Sequence, residues 1–278
     1  MFKRWFMVKG SALKYLKCPI CDGDFLESGN SVLCKKGHCY DISKRGYINF
    51  SQNRKEKVYG KNLFKNRSDV FEMGVFEPVI RKINQIIECF HIPEGTVLVD
   101  AGCGEGFYTR NVRLDGCALS IGFDLSKDAI QYASKKDENA FYMVADLANI
   151  PLKDDIAGVI LDVFTPANYR EFKRILKTDG ILVKVVPKEK YLIELRQLAA
   201  PYLINKSYDS GEVKDYTEKN VNISVKERIS YKMEITPEEA IKIAQMTPMF
   251  NNIDIEKIDF SNTRYITIDE EIIVGSII

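Results

Sequence analysis

The sequence predicts an α/β protein: a doubly wound, mostly parallel sheet with a small metal-binding β domain at its N-terminus. Three observations predict it. Apolar, β-rich runs alternate with helical patterns from about residue 96 onward. The first of those runs ends in a glycine-rich turn, TVLVDAGCGEG. Four cysteines and one histidine crowd into residues 18–39. At 278 residues, 45% hydrophobic and 28% charged, the chain has material for one large core and a small satellite. No run approaches the roughly 18 consecutive apolar residues of a membrane span. Lysines and arginines interrupt the N-terminus, which lacks the apolar stretch of a secretory signal. Seven unevenly spread cysteines read as reduced thiols of a cytoplasmic protein.

The formal net charge of +1 hides an asymmetry. Residues 1–67 hold fifteen basic and five acidic side chains, a net +10; the other 211, with twenty-five basic and thirty-four acidic, carry −9. A basic head of that size points to an anionic partner.

The N-terminal element comes first. Its spacing is Cys18-x2-Cys21-x12-Cys34-x3-His38. Two ligand pairs on tight turns bring three thiolates and one imidazole around a tetrahedral Zn²⁺. Pro19 and Gly37 suit those turns, and Asp22-Gly23 and Gly29-Asn30 mark further ones between short strands. A segment of about forty residues buries too little apolar area alone, so the metal contributes directly to its folding. Cys39 adjoins His38 and offers an alternative fourth ligand. Either set is closed, which makes the site structural.

Residues 51–69 then read as a basic linker, with Tyr59 and Phe64 among its charges. That composition suits phosphates and unstacked bases as well as solvent. From Arg67 to Phe90 apolar residues recur at helical spacing, interrupted at Pro78. These helices are expected to cover the sheet.

The glycine turn departs from the dinucleotide fingerprint, because its third glycine, Gly106, follows Gly104 at the second position rather than the third. The pattern Asp100-x-Gly102-x-Gly104-x-Gly106 resembles motif I of the class I S-adenosylmethionine-dependent methyltransferases. That resemblance implies a seven-stranded, doubly wound (Rossmann-like) class I methyltransferase sheet whose loop embraces the methionine and ribose of the cofactor. A second strand ends at Asp124, twenty residues beyond Gly104, where a carboxylate accepts ribose hydroxyls. A third ends at Asp146, which the methyltransferase pattern sets on the adenine amine, with the backbone N–H of Leu147 on the ring. The run AGVILDVFTP forms a fourth strand, a helix follows from about Asn168 to Leu176, and TDGILVKVVP supplies the fifth strand. Farther on, VNISVKERISYKMEI reads as a strand. Thr236-Pro237-Glu238-Glu239 reads as a helix start with a capping box. The tail FSNTRYITIDEEIIVGSII suits two late strands. Met246, Met249 and Phe250 read as core before substrate contact.

Both halves together resemble the bacterial 23S rRNA (guanine-N1)-methyltransferases that modify hairpin 35. The resemblance runs through the knuckle, Tyr40–Phe50 (YDISKRGYINF), DAGCGEGFYT, GFDLSKDAI, the FTPAN region and AQMTPMF at 244–250. It implies Zn²⁺ on Cys18, Cys21, Cys34 and His38, S-adenosylmethionine as methyl donor, a 23S rRNA hairpin as partner, and a homodimer whose metal domains help form a basic RNA cleft. On this reading residues 1–50 are a zinc-binding RNA-recognition domain, 51–69 a basic linker and 70–278 the methyltransferase domain. Phe164, Thr165 and Pro166 are expected to wall the base pocket, with Asp162 as candidate base. Two alternatives stand beside it: a small-molecule methyltransferase with a zinc ribbon, and an inactive methyltransferase fold that binds RNA for assembly.

Overall fold

The computed structural model describes residues 12–51, 61–202, 211–251 and 253–278. Among these, two sheets organise the chain. The small one orders β1 (Phe25–Ser28), β2 (Ser31–Cys34) and β3 (Cys39–Asp41) as an antiparallel meander. The large one has eight strands, in the order β10 (Val221–Glu234), β11 (Tyr265–Ile277), β9 (Leu176–Pro187), β8 (Ala157–Val163), β5 (Val97–Ala101), β6 (Leu119–Asp124), β7 (Phe141–Val144) and β4 (Ile48–Asn49). Its parallel centre is β5, β6, β7, β8 and β9. Strand order reverses at β5, between β6 on one side and β8 on the other. That reversal opens a crevice at the carboxyl ends of the strands, where ligands of doubly wound sheets bind.

Seven strands were expected and eight are present, because the N-terminal region donates one. Its β4 (Ile48–Asn49) lies parallel to β7, and Phe50 N–H continues the ladder to Val144 O at 2.9 Å. The tail also differs from expectation. It forms one strand, β11 (Tyr265–Ile277), paired along its length with β10 (Val221–Glu234). The acidic run Asp269–Glu271 crosses it unbroken because Arg228 of β10 holds Asp269 with two hydrogen bonds, 2.7 and 2.8 Å. A paired carboxylate does not force the turn that a solvent-seeking one would.

Helices cover both faces. α1 (Lys61–Glu72) begins inside the segment read as linker, and α2 (Glu77–Glu88) follows, with Pro78 in its first turn where a missing N–H costs nothing. Gly74, at φ 79°, makes the corner between them. α2 buries Val79, Ile80, Ile83, Ile86 and Ile87 against the sheet. α3 (Phe107–Asn111), α4 (Lys127–Lys136), α5 (Tyr169–Ile175), α6 (Ile193–Ala199) and α7 (Gly211–Asn220) follow, and α8 (Pro237–Met246) starts on the complete Thr236–Glu239 capping box. Met246 and Phe250 are buried and Met249 packs beside them. No helix among the described residues is long and apolar enough to cross a membrane.

Candidate functional site: a zinc knuckle braced against a cofactor crevice

The metal ligands converge as the spacing demands. The donor atoms of Cys18, Cys21, Cys34 and His38 all lie within 4.8 Å of one another. His38 Nδ1 sits 3.4 Å from Cys18 Sγ and 3.3 Å from Cys34 Sγ, and Cys21 Sγ is 3.6 Å from Cys34 Sγ. Those edges match a tetrahedron built on bonds of about 2.3 Å to sulfur and about 2.0 Å to nitrogen. Cys39 instead points outward from β3, exposed, which settles the fourth ligand in favour of His38. The two turns are set by backbone: Asp22 N–H donates to Cys18 O and Gly37 N–H to Cys34 O. Desolvation raises the Cys34 thiol, but the backbone at His38 and Lys36 outweighs it and brings the group to about 6. A thiol held that low is ready to ligate.

This knuckle does not hang free. Pro19 O, between the first two ligands, accepts from Asn149 Nδ2 at 2.8 Å. Lys17 N–H donates to Pro151 O, Lys153 N–H donates to Tyr15 O, and Leu16 bridges Leu152. The braced loop follows β7 and contains Asp146 and Leu147. Asp146 Oδ1 accepts from Ala148 N–H at 2.9 Å, and Leu147 O accepts from Asn168 Nδ2 at 2.8 Å. The metal site and the expected adenine loop are therefore one hydrogen-bonded unit.

At the crevice, Gly102, Gly104 and Gly106 all adopt left-handed φ, +70°, +54° and +77°. The need is steric as well as conformational. A Cβ on Gly102 would collide with Thr165, and one on Gly106 would lie 2.7 Å from the Tyr142 hydroxyl. The turn is tied to β6, where Phe123 O accepts from the N–H groups of Gly102 and Cys103. Asp124 closes the crevice side, accepting from Gly104 N–H at 3.0 Å and Ser126 N–H at 2.8 Å. Burial nonetheless raises its carboxyl above the usual range. Asp100 lies beneath the turn, where Thr109 Oγ1 donates to Oδ2 at 2.5 Å and burial pushes the carboxyl up to about 7. It anchors α3 to β5.

Phe164 is held at φ 56° at the end of β8, its N–H on Val185 O. It is 40% exposed, and its ring lies 5.5 Å from Tyr191 and 6.5 Å from Phe76. Thr165 packs on Gly102, and Pro166 is exposed beside it. Asp162 does not reach this rim. It is wholly buried and pairs with Lys184 of β9, Oδ2 to Nζ 2.6 Å. Burial raises its carboxyl to about 6 despite that cation. Lys184 Nζ also donates to Thr165 O at 3.2 Å, so the pair shapes the Phe164–Pro166 turn from below.

Four further site residues escaped sequence reading. Arg67 of α1 reaches over Gly104 and pairs with buried Glu105, Nε to Oε2 3.1 Å. It had counted only as one charge of a basic linker. Lys184, a lone cation in the apolar run ILVKVV, was a readable signal. Tyr191 and Tyr108 carried none, since both sit in ordinary helical patterns.

Comparison with known proteins agrees with this geometry. Residues 16–51 match the family described as "RlmA, N-terminal", a zinc ribbon, and residues 99–184 match "Methyltransferase domain". A Bacillus subtilis protein, YxjB, named as a 23S rRNA (guanine-N1)-methyltransferase, is 34% identical over 272 residues, covering 93% of this chain and 96% of its own. A Micromonospora griseorubida protein bearing the same enzyme name is 26% identical, covering 85% of this chain and 86% of its own. The 23S rRNA (guanine(748)-N(1))-methyltransferase of Streptomyces fradiae is 28% identical over 192 residues, 68% of this chain and 69% of its own. A zinc ribbon welded to a methyl-donor crevice, in one chain matched nearly end to end, places this protein in the 23S rRNA (guanine-N1)-methyltransferase family.

Proposed function

We propose that the protein transfers a methyl group from S-adenosylmethionine to N1 of a guanine in a hairpin loop of 23S rRNA. The observation that carries this reading is the joining of knuckle and crevice: the ribbon's Pro19 and β4 are hydrogen-bonded into the loop and strand that border the cofactor site. A ribbon so placed presents nucleic acid to the site. A remote assembly tag has no need of that contact.

The cofactor supplies an electrophilic methyl on a sulfonium. Asp124 would hold the ribose hydroxyls, and Asp146 with the Leu147 N–H would receive the adenine. Gly102, Gly104 and Gly106 would let the backbone close on the methionine, and Arg67 would be the cation at its anionic end. Asp100 acts through Thr109 by fixing the turn. Phe164, Thr165 and Pro166 wall the base pocket, and Asp162 positions them through Lys184. Alignment of this kind contributes several kcal/mol to rate.

Guanine N1 is paired inside a duplex, so the target lies in a loop or is flipped out. Exposed Lys14, Lys35, Lys36, Lys44, Arg45 and Lys65 form the described part of the basic face. Lys3, Arg4, Lys9, Arg54, Lys55, Lys57 and Tyr59 lie outside the described residues. The RNA cleft is completed in a homodimer, and the cytoplasm, where rRNA is made, is the site of action. Residues 1–50 serve recognition and 70–278 catalysis.

The test is methylation of 23S rRNA from a strain lacking the protein, mapped by primer extension, because N1-methylguanine blocks the Watson–Crick edge. A new stop in hairpin 35 is expected, and its absence refutes the reading. RNA affinity should fall steeply and log-linearly with salt.

A further inference from the structure

Guanine N1 carries a proton, so the reaction needs an acceptor that faces the base. Asp162 has a buried cation, Lys184, on its Oδ2 and only Oδ1 unpartnered. Glu270 of β11 has no such cation. It is fully buried, and neither carboxylate oxygen has a hydrogen-bond partner among the described residues. A buried acid left bare costs several kcal/mol unless something else satisfies it.

Its position is informative. Glu270 stands opposite Pro187, the last residue of β9, and so at the carboxyl edge of the parallel strands. Alternation along β11 puts it on the same face as Ile268 and Ile272, within the core layer that also contains Phe76, Phe107 and Tyr108. On β10, Tyr231 pairs with Ile268 and Ile229 with Glu270, so Tyr231 lies diagonally beside Glu270 on one face of the sheet; burial first, and then the Glu270 charge, raises the phenols of Tyr108 and Tyr231. Tyr231 closes one side, its hydroxyl donating to Val75 O at 2.5 Å. The Tyr108 hydroxyl is buried and, like Glu270, has no hydrogen-bond partner among the described residues. The Tyr108 ring lies 6.3 Å from Phe71, Phe71 lies 5.1 Å from Phe76, and Phe76 lies 6.5 Å from Phe164 at the exposed rim, where Tyr191 also packs. An aromatic path thus runs from the rim to two unsatisfied polar groups. Burial, with the charge of Asp269 beside it, pushes the Glu270 carboxyl up to about 8, which makes its ionised form a stronger base than an ordinary carboxylate.

We infer that Glu270 is the carboxylate that reads and deprotonates the target guanine, which enters between Phe164 and Tyr191. This rests on the guanine-N1 reading above. Guanine alone among the RNA bases offers two adjacent donors, N1–H and N2–H, on its Watson–Crick edge, matching the two oxygens of one carboxylate. Adenine, cytosine and uracil each set an acceptor against one of those oxygens. The N1 proton passes to Glu270 as the N1–CH3 bond forms and the S–CH3 bond breaks, its electron pair staying on sulfur. Glu270 then releases the proton to solvent as the product leaves.

The experiment uses the zinc-loaded full chain, S-adenosylmethionine, and hairpin RNAs carrying guanine or inosine at the methylated position, in single turnover. Inosine keeps N1–H and lacks the N2 amine. Wild type should favour guanine by at least tenfold. Glu270→Gln should slow guanine at least a hundredfold and shrink that preference to within threefold, with cofactor affinity unchanged by calorimetry. A variant within threefold of wild-type rate, or one that keeps the full preference, overturns the assignment. Should Glu270→Gln lose cofactor binding, Glu270→Asp serves instead: slowed turnover with guanine preference intact is expected, and wild-type turnover overturns the idea. Wild type that leaves guanine N1 unmethylated refutes the underlying reading, a distinct outcome.

Discussion

Arg67 Nε lies 3.1 Å from Glu105 Oε2, so a helix from the head of the methyltransferase domain is ion-paired to the glycine turn. Burial would lower the Arg67 basicity, but Glu105 and Asp124 outweigh it and raise it. The guanidinium is a positive charge lying directly over Gly104. Arg67→Met removes the charge, and with it the guanidinium that lies 5.8 Å above the Phe71 ring. Calorimetry should show cofactor affinity reduced tenfold or more; because Glu105 is left buried without its cation the melting temperature should also fall, and adding Glu105→Gln should recover the stability while affinity stays low. Equal affinity would leave Arg67 with a structural role only.

Zinc removal should reach the cofactor. The Pro19–Asn149 hydrogen bond and the Lys17–Pro151 contact are made by the turn that the metal organises, and such turns lose their shape without it. Chelation is expected to weaken S-adenosylmethionine binding severalfold, restored by added Zn²⁺. Asn149→Ala should shrink that zinc dependence, which titrations with and without chelator would read directly.

The Asp162–Lys184 pair offers a sharper test of positioning. Removing one partner of a buried pair typically costs about 3–5 kcal/mol. Lys184→Met should therefore destabilise strongly in denaturant titration, and adding Asp162→Asn should recover much of the loss. Asp162→Asn alone should slow methylation about tenfold through the Phe164–Pro166 turn while cofactor affinity holds. A loss as large as that predicted for Glu270→Gln would make Asp162 the base.

Stability should depend on pH through Asp100. Its folded carboxyl is raised to about 7 from an ordinary 3.8, chiefly by burial. The fold favours the protonated form, so this contribution is complete below about pH 4 and is lost as pH rises through about 7. The shift corresponds to on the order of 4 kcal/mol. Asp100→Asn keeps an acceptor for Thr109 and removes the titration. Its melting temperature should fall less than that of wild type between pH 5 and 8; parallel curves would disprove the account.

Much of this was legible in the residues themselves. The Cys18–His38 spacing gave the metal site, because a tetrahedron needs two pairs on tight turns and nothing distant. Asp100, Gly102, Gly104, Gly106 and Asp124 were readable for a similar reason: turn chemistry is local. Asp162 illustrates the limit. Its type and strand position suggested a base, while its partner Lys184 lies 22 residues away across a ladder register that sequence does not display. Glu270 was hidden by its neighbours. Among three consecutive acids, only strand alternation decides which one turns inward, and Arg228 and Lys188 draw the flanking pair elsewhere. The eighth strand was missed because two residues, Ile48 and Asn49, carry no periodic signal.

That two-residue strand has a consequence for how the protein was assembled. β7 is buried throughout, Phe141 to Val144, and without β4 its outer hydrogen-bonding groups would form an open, greasy margin of the kind that recruits other chains. The zinc ribbon is thus a hem on the larger sheet, besides the RNA-binding role proposed for it. Cutting the chain between its two modules leaves a raw border, so the catalytic half expressed alone should clump. The ribbon cannot be exchanged for another recognition module unless the newcomer brings its own edging strand.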